Sequence, residues 1–487
     1  MLLLGYDIGS SSVKASLIRV EDSRTVASAS SPSEEAPILS LRPGWAEQNP
    51  DDWWEYLKEA TLKLKPSLES DKVAAIGISY QMHGLVCVGR DLRPLRNAII
   101  WCDSRAVPYG QKAFAEIGAD RCLKHNLNSP GNFTAAKLAW VKENEPELYR
   151  QIYKILLPGD YIATRMSGEA TSTVSGLSEG ILWDFRQNCV STEVLDALGL
   201  DPAMIARTVP CFGESLHLGS AAAQELGLEA GIPICYRAGD QPNNAFSLNV
   251  LRPGEIAATA GTSGVVYGVS GKIACDPLSR VNSFAHVNHS PEDPRIGILL
   301  CINGSGILNA WTRRNVAPEG LTYAEMNAQA AKVPVGCEGL SILPFGNGAE
   351  RMLGNLAPGC SIHGLDFNRH SRAHIYRAVQ EGIAFSFRYG MDIMSEMGMK
   401  ASDIHAGAAN LFLSSVFRKT LSSVTGTVIN LYDTDGAAGA ARGAGVGCGI
   451  YRNTDEAFEG LGIIGSQTPE DRELYEAAYQ NWKEHLM

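Results

Sequence analysis

Apolar blocks alternate with turn-forming residues along the chain, and this pattern predicts an α/β protein. The first block is an apolar run that starts at Leu2 and ends in the Gly/Ser turn of residues 9–12. A second apolar run follows to Ile18, which predicts a β-hairpin with Asp7 beside its turn. The chain therefore begins with a pair of antiparallel strands.

A second hairpin of the same kind is predicted near the middle of the chain. Residues 257–260 form a small, mostly apolar run, residues 261–264 read Gly-Thr-Ser-Gly, and a further apolar run reaches Tyr267. Two such hairpins that open two similar halves indicate a duplicated fold. A length of 487 residues also favours two domains, which we place at residues 1–248 and 249–487.

Further elements follow from periodicity and from the signals at element ends. Helices are predicted to start after Asn49, with Pro66 as the stop, and near Asn132, where Asn132 or Thr134 is able to cap. A long helix is predicted over residues 371–397. The Ser/Thr/Gly-rich segment 171–180 is interpreted as a loop. Buried strands are expected at residues 73–79, 85–88, 98–100, 231–235 and 296–302.

Composition narrows the classes of function. Apolar residues are 45% and charged residues 20% of the chain, as in a globular protein. The net charge of −11 argues against nucleic-acid or anionic-membrane binding, which needs clustered basic residues. Eleven cysteines without a C-x-x-C pair favour reduced thiols over a disulfide framework or a zinc site. The apolar run at residues 2–4 is too short for a signal peptide, so we expect a cytoplasmic protein.

Polar residues follow several predicted strands, at the strand ends where open α/β sheets bind ligands. The polar residues are Gln81, His83, Asp103, Asp240 and Gln241, and the apolar Met82 lies between Gln81 and His83. Asp240 lies between Gly239 and the sequence Gln241-Pro242, so its carboxylate is expected to be held rigidly, as suits a general base. A helix cap is the alternative interpretation of Asp240.

The turn of the first hairpin has the composition of a phosphate site. Successive amide N–H groups from Gly9 to Ser12 would form a concavity for phosphate, and Asp7 lies where a metal on that phosphate would bind. An ordinary solvated turn is the alternative, but the second copy at Gly261 favours phosphate binding. Neither a G-x-x-x-x-G-K-[ST] motif nor a G-x-G-x-x-G turn after the first strand occurs. Any nucleotide would therefore be bound by the paired hairpins.

Together these motifs resemble the FGGY family of carbohydrate kinases, within the superfamily that includes hexokinase, actin and heat-shock ATPases. Residues 5–10 resemble the family's first phosphate hairpin, residues 260–264 its second hairpin, and residues 239–241 its catalytic segment. Residues 134–141 are similar to the family signature of the first domain, and residues 81–84 look most like the members that phosphorylate xylulose. The resemblance covers nearly the whole chain.

The resemblance implies two actin-like (ribonuclease H-like) ATPase domains in tandem with a cleft between them. It implies ATP-dependent phosphorylation of D-xylulose to D-xylulose 5-phosphate, with Asp240 as the general base and in-line transfer from Mg-ATP. Asp7 is the second implied catalytic residue and would orient Mg²⁺ through water. The implied sugar-binding residues are Gln81, Met82, His83, Asp103 and Gln241. The implied nucleotide-binding residues are Gly9, Ser10, Ser11, Ser12, Lys14, Gly261, Thr262, Ser263, Gly264, Gly407 and Asn410.

Two alternatives stay open from the sequence. The first is an FGGY kinase for another ketose, such as ribulose, or for a polyol, because one side chain is enough to select the orientation of a hydroxyl. The second is a catalytically idle sugar sensor or an actin-like ATPase, against which the presence of both Asp7 and Asp240 argues. The expected partners are a small sugar and ATP, with neither nucleic acid nor membrane, and the sequence leaves a homodimer open.

Overall fold

Two mixed β-sheets form the centres of two lobes in the computed structural model, which describes residues 1–68 and 72–486. The strands of the first sheet are β1 (Leu2–Ile8), β2 (Val13–Arg19), β3 (Thr25–Ser31), β4 (Val73–Tyr80), β5 (Phe212–His217) and β6 (Pro233–Gly239). The strands of the second sheet are β7 (Glu255–Ala260), β8 (Gly264–Ser270), β9 (Asn282–Ala285), β10 (Ile296–Ile302), β11 (Asp403–Gly407), β12 (Val428–Tyr432) and β13 (Ile463–Gln467). The predicted α/β class is confirmed.

The first sheet brings three strand ends to one edge. Its order is β5-β6-β4-β1-β2-β3, and β4 runs parallel to both β1 and β6. Tyr80 at the end of β4 is level with Ile8 on one side and with Gly239 on the other. Asp7 and Asp240 each lie next to one of these two residues, so the sheet register places both carboxylates at the same edge.

The second sheet repeats the core of the first. Its order is β9-β10-β8-β7-β11-β12-β13, in which β7 and β8 form a hairpin and β11 runs parallel to both β7 and β12. The order β10-β8-β7-β11-β12 thus corresponds to β3-β2-β1-β4-β6. The duplication predicted from the two hairpins is confirmed, because each hairpin opens the central strands of its own sheet.

Helices cover both sheets. Those of six residues or more are α1 (Pro50–Lys63), α2 (Val107–Ile117), α3 (Ala119–Asn126), α4 (Thr134–Asn144), α5 (Pro158–Ser167), α6 (Val174–Glu179), α7 (Thr192–Leu198), α8 (Ser220–Leu226), α9 (Asp240–Ser247), α10 (Gly306–Asn315), α11 (Tyr323–Ala330), α12 (Arg372–Glu396), α13 (Ser415–Thr425), α14 (Gly436–Gly447) and α15 (Arg472–Glu484). The α-helices of four residues are Lys65–Leu68, Pro146–Tyr149 and Thr454–Ala457, and Asn410–Leu413 is a 3-10 helix of the same length. Within the described ranges, no helix is long and apolar enough to cross a membrane.

Short strand pairs complete the lobes. They are Glu47–Gln48 with Ala98–Ile99, Val86–Val88 with Lys154–Leu156, Thr171–Thr173 with Arg207–Val209, Trp183–Asp184 with Cys189–Val190, and Ser341–Phe345 with Gly359–His363. These pairs lie outside the two central sheets and are short, so side-chain packing rather than their few ladder hydrogen bonds holds them.

Helix α14 belongs to the second half of the chain but packs on the first sheet, against β1, β4 and β6. Small residues permit this approach. An added Cβ at Gly5 would lie 1.9 Å from the carbonyl oxygen of Ala437, and one at Gly77 would lie 1.9 Å from that of Ala440. The helix also packs against α9, where Gly439 faces Ser247. The two lobes are therefore joined by a tightly packed pair of helices beside the site.

Several local predictions differ from the structure. Residues 171–180 are not a loop but the strand Thr171–Thr173 followed by α6, because small polar residues fill a buried position there. Pro66 does not stop α1, which ends at Lys63, and lies inside the short helix that follows. Neither predicted cap is used by α4, whose N-cap is Phe133 without a side-chain hydrogen bond. The long helix agrees closely with prediction, with Ser371 and Met397 as the caps of α12.

Candidate active site in the cleft

Two carboxylates lie at the shared strand edge of the first lobe. Asp7 is the penultimate residue of β1, and its Oδ1 accepts a hydrogen bond of 2.8 Å from the hydroxyl of Ser79. Its Oδ2 lies 2.3 Å from where a Cβ of Gly436 would stand, so the carboxylate sits at the N-terminus of α14. The positive end of that helix favours a negative charge at Asp7.

Asp240 is the first residue of α9. Its N-cap is Gly239, so the interpretation of Asp240 as a helix cap is wrong. Burial raises the pKa of Asp240 to about 7, and the neighbouring charge of Asp7 adds to the rise. A carboxylate that titrates near neutrality is matched to proton transfer at physiological pH. The pKa of Asp7 is also raised, again mainly by burial.

Met82 and His83 continue from β4 toward the second lobe. Met82 is buried, and His83 adopts a left-handed backbone conformation with φ of 62°. The Nδ1 atom of His83 lies 3.0 Å from the carbonyl oxygen of Glu179, and its ring packs edge-on to Phe133 at 4.7 Å. Phe284 of the second lobe lies 5.3 Å from the same ring. His83 therefore stands where the two lobes meet.

Burial lowers the pKa of His83 to about 3, so the ring is neutral at physiological pH. A neutral ring that donates from Nδ1 to the carbonyl of Glu179 keeps Nε2 as an acceptor. Such an acceptor suits a hydroxyl donor of a sugar.

Lys137 holds the backbone beneath this histidine. Its ammonium group is completely buried and donates to the carbonyl oxygens of His83 at 2.7 Å and Ile100 at 3.0 Å. Burial lowers the pKa of Lys137 to about 7. Lys137 is part of the segment whose resemblance to the family is described above, but no role was predicted for it. The structure assigns it to fixing the loop that carries His83.

Both carboxylate oxygens of Asp103 are bound by donors of the protein itself. Its carboxylate is completely buried, and its Oδ2 accepts from the amide of Ala46 at 2.6 Å. Arg105 binds both carboxylate oxygens through its Nε at 2.9 and 3.0 Å. With these donors in place, Asp103 shapes the loop rather than offering an oxygen to sugar, which does not support the predicted contact.

Gln81 and Gln241 are better placed than Asp103 to act in the predicted sugar site. The amide nitrogen of Gln81 donates to Gln48 at 3.2 Å, while its buried oxygen has no partner within the described chain. Gln241 follows Asp240 on α9, and its amide lowers the pKa of that carboxyl. Gln81 thus keeps a free acceptor, and Gln241 stabilises the ionised form of Asp240.

The first hairpin is tightly held. The amide of Gly9 donates to the carbonyl of Ser12 at 3.0 Å, which closes the turn over Ser11, and Gln48 donates to the carbonyl of Ser10 at 2.7 Å. Lys14 instead forms an ion pair of 2.7 Å with Asp435 of the second half of the chain. The predicted contact of Lys14 with nucleotide competes with this bridge.

The second hairpin borders a cavity of about 580 Å³ in the second lobe. Gly261, Thr262 and Asn410 line the cavity, as do Arg314, Tyr323 and Asn327, which were not predicted. Asn410 adopts a left-handed conformation with φ of 54°, and its amide nitrogen lies 3.6 Å from where a Cβ of Gly261 would stand. The hairpin and the Asn410 turn are therefore neighbours.

Three other predicted nucleotide residues lie outside the lining of that cavity. Ser263 is in the hairpin turn, and Gly407 ends β11 with open space around it. Gly264 is required for packing, because an added Cβ would lie 2.6 Å from the ring of Phe387. For Gly264 the structure thus supplies a packing reason for glycine.

Arg351 faces the cleft from the second lobe. Its guanidinium lies close enough to His83 to lower the pKa of that ring further, and within the described residues it forms no hydrogen bond or ion pair. The adjacent Glu350 accepts from the amides of Asn303 and Gly304, which fixes the turn. A guanidinium near His83 that has no anionic partner in the described part of the chain is suited to phosphate, and no sequence signal distinguished Arg351 from the other arginines.

Asp7 and Asp240 are the acidic residues available to a divalent cation at the shared strand edge. Across residues 1–68 and 72–486, no group of three or more His, Cys, Asp or Glu side chains is arranged to hold a metal ion. Asp7 and Asp240 are nevertheless two half-buried acids whose repulsion adds to the rise in the pKa of Asp240. A divalent cation bound with phosphate would relieve that repulsion, so the two carboxylates fit a cation that arrives together with a phosphate group.

Two lobes whose central strands have the same order, each with a hairpin at the centre of its sheet, define the actin-like ATPase fold class. Residues 2–247 match the N-terminal domain of the FGGY family of carbohydrate kinases, and residues 256–448 match its C-terminal domain. The chain belongs to the FGGY family of carbohydrate kinases. The predictions of family, of fold and of a sugar kinase are thereby confirmed.

Individual relatives are similar over the whole length. The chain is 29% identical to a xylulose kinase of Escherichia coli, over 99% of this chain and 97% of that protein. It is 28% identical to a xylulose kinase of Bacillus subtilis, over 94% and 90% of the two chains. A crystal structure of a xylulose kinase from Rhodospirillum rubrum superimposes with a TM-score of 0.90 at 25% identity and covers 100% of this chain and 98% of that one.

Proposed function

We propose that the protein transfers the γ-phosphoryl group of ATP to the terminal hydroxyl of D-xylulose and forms D-xylulose 5-phosphate. The observation that carries the proposal is the pair Asp240 and Asp7 at one strand edge, with the pKa of Asp240 raised to about 7. Similarity to xylulose kinases along nearly the entire chain supports the choice of sugar.

In this proposal Asp240 removes the proton from the attacking hydroxyl. The first turn of α9 holds the carboxylate rigidly, and the amide of Gln241 stabilises its ionised form before the proton is taken. Met82 and His83 bind the sugar, with Nε2 of His83 accepting from a sugar hydroxyl. Phosphoryl transfer depends mainly on positioning and on charge stabilisation, so these groups act by alignment.

The two hairpins are proposed to bind the nucleotide. The amides and hydroxyls of residues 9–12 and 261–264 would hold phosphate oxygens, and the cavity beside Asn410 would take the adenosine. Mg²⁺ bound with ATP would neutralise phosphate charge, with Asp7 holding it through water. The proposed domains, residues 1–248 and 249–487, then correspond to a sugar-side and an adenosine-side lobe, and their closure would exclude water.

The test is ADP release with a panel of ketoses and polyols. We expect D-xylulose to give the highest kcat/KM, with negligible ADP release in the absence of sugar. Stimulation by ribulose or a polyol but not by xylulose would refute the choice of sugar while leaving the kinase assignment intact. Silence with every sugar would instead favour the idle sensor.

A further inference from the structure

Glu179, the last residue of α6, carries a buried carboxyl group that the mechanism above does not use. Its side chain is 1% exposed, and within the described residues neither Oε1 nor Oε2 has a hydrogen-bond partner. The Tyr80 hydroxyl is near enough to favour the ionised carboxyl, yet it does not reach hydrogen-bond geometry and is itself unpartnered. A buried polar group without partners is rare and calls for a partner that the chain does not supply.

The position of this carboxyl coincides with the proposed sugar site. A Cβ added at Gly239, the residue before Asp240, would lie 2.5 Å from Oε2 of Glu179 and 2.6 Å from Cγ of Met82. The backbone carbonyl oxygen of Glu179 also accepts a hydrogen bond of 3.0 Å from Nδ1 of His83. Glu179 therefore lies beside both segments to which the base and the sugar ligands are assigned, residues 82–83 and residues 239–241.

Within the described residues, no neighbouring charged group forms a hydrogen bond with the carboxyl of Glu179. Asp160 lies close by, but Arg237 pairs with it at 2.7 Å through Nε. Burial, with the charges of Asp240 and Asp160, raises the pKa of Glu179 well above its usual range. A neutral carboxylic acid donates one hydrogen bond and accepts others, which is the complement of a sugar hydroxyl.

We propose that the Glu179 carboxyl binds the sugar hydroxyl beside the one that faces Asp240, and that it thereby determines which sugar is phosphorylated. The proposal rests on the proposed function to the extent that a sugar must lie at Asp240. In this proposal the Glu179 carboxyl forms a hydrogen bond with one further sugar hydroxyl on the side of the site that is lined by Met82. A site built to hydrogen-bond a hydroxyl discriminates strongly against an analogue that lacks it, because the buried group is then left unpaired.

The test compares the variants Glu179→Gln and Glu179→Met in the full chain. Glutamine keeps the shape and has an NH2 group that donates and a carbonyl oxygen that accepts, whereas methionine keeps the length without a hydrogen-bonding N–H or O–H group. The readout is the Kd of each sugar measured by calorimetry without ATP, for the best wild-type substrate and for its deoxy analogues. Glu169→Gln is the matched control, because Glu169 is exposed and pairs with Arg207 on the surface of the same lobe.

Glu179→Met is expected to weaken binding of the best substrate about tenfold or more while changing the Kd of one deoxy analogue by less than about twofold. Glu179→Gln should lie between the methionine variant and the wild type, with the KM for ATP unchanged in both. Equal changes for all sugars, no change for any sugar, or loss of folding in both variants would overturn the proposal. The comparison uses whichever sugar the wild-type protein phosphorylates best, so a failure of the xylulose assignment is distinguishable from a failure of the Glu179 assignment.

Discussion

Replacing Asp240 with asparagine should abolish turnover and, at the same time, stabilise the protein at neutral pH. Loss of the general base should lower kcat by several orders of magnitude while the Kd of the sugar changes little. The gain in stability has a separate origin. The wild-type carboxylate is ionised at pH 8 in surroundings that disfavour its charge, and asparagine carries no charge there.

The size of the gain follows from the pKa. A rise from the ordinary value of 3.8 to about 7 corresponds to about 4 kcal/mol, at about 1.4 kcal/mol for each pH unit. Because Asp240 is partly exposed, we discount this to about 2 kcal/mol. The folded state binds the proton of Asp240 more tightly than the unfolded state does. The contribution of Asp240 to wild-type stability is therefore highest below about pH 4 and is lost as pH rises to about 7.

The assay is thermal melting from pH 4.5 to 8.5 without nucleotide and with a chelator, combined with ADP release. The variant should melt about 2 °C above the wild type at pH 8, because a chain of 487 residues gains about 1 kcal/mol/K of entropy on unfolding, and the difference should vanish toward pH 4. Asp455→Asn is the control, because Asp455 is exposed and paired with Arg252. Turnover near that of the wild type would refute the role as base. An equal or lower melting temperature at pH 8 would refute the desolvation argument.

Three further predictions concern other parts of the site. Gly239→Ala should weaken sugar binding about tenfold or more, since the new Cβ would lie 2.5 Å from the Glu179 carboxyl. Gly462→Ala is the control, because its new Cβ meets nothing within 4 Å, and it should leave the Kd of the sugar measured by calorimetry unchanged. Equal effects of the two variants would contradict the packing argument. Asn410→Ala should raise the KM for ATP about tenfold with the Kd of sugar unchanged, and an unaltered KM would place the nucleotide elsewhere. Asp7→Asn should raise the Mg²⁺ concentration needed for half-maximal activity more than tenfold, and a normal metal titration would remove Asp7 from that role.

Sequence patterns predicted the parts of the fold that depend on local signals. The two hairpins and the caps of α12 follow from apolar periodicity and turn residues. The convergence of Asp7 and Asp240 was also accessible, because parallel strands end at one edge of a sheet. Each of these inferences needs only neighbouring residues and a rule of sheet topology.

Other parts depend on contacts that no local pattern encodes. Glu179 lies in a Ser/Thr/Gly-rich segment that has the composition of a loop, and only its burial beside Gly239 distinguishes it from a solvated glutamate. Asp103 looked like a ligand because it follows an apolar run, whereas its pairing with Arg105 depends on side-chain geometry. Arg351 is similar, since its isolation in the cleft results from the approach of two lobes.

Helix α14 makes the two halves of the chain a single folding unit. Residues 1–248 expressed alone would lack the helix that covers β1, β4 and β6, and the apolar surface around Leu3, Ala75 and Tyr236 would face water. The second half alone would carry a Gly/Ala helix with no sheet to pack on. Neither half is therefore expected to be soluble by itself, while co-expression of the two should restore a complex, as in a split protein whose fragments exchange one element.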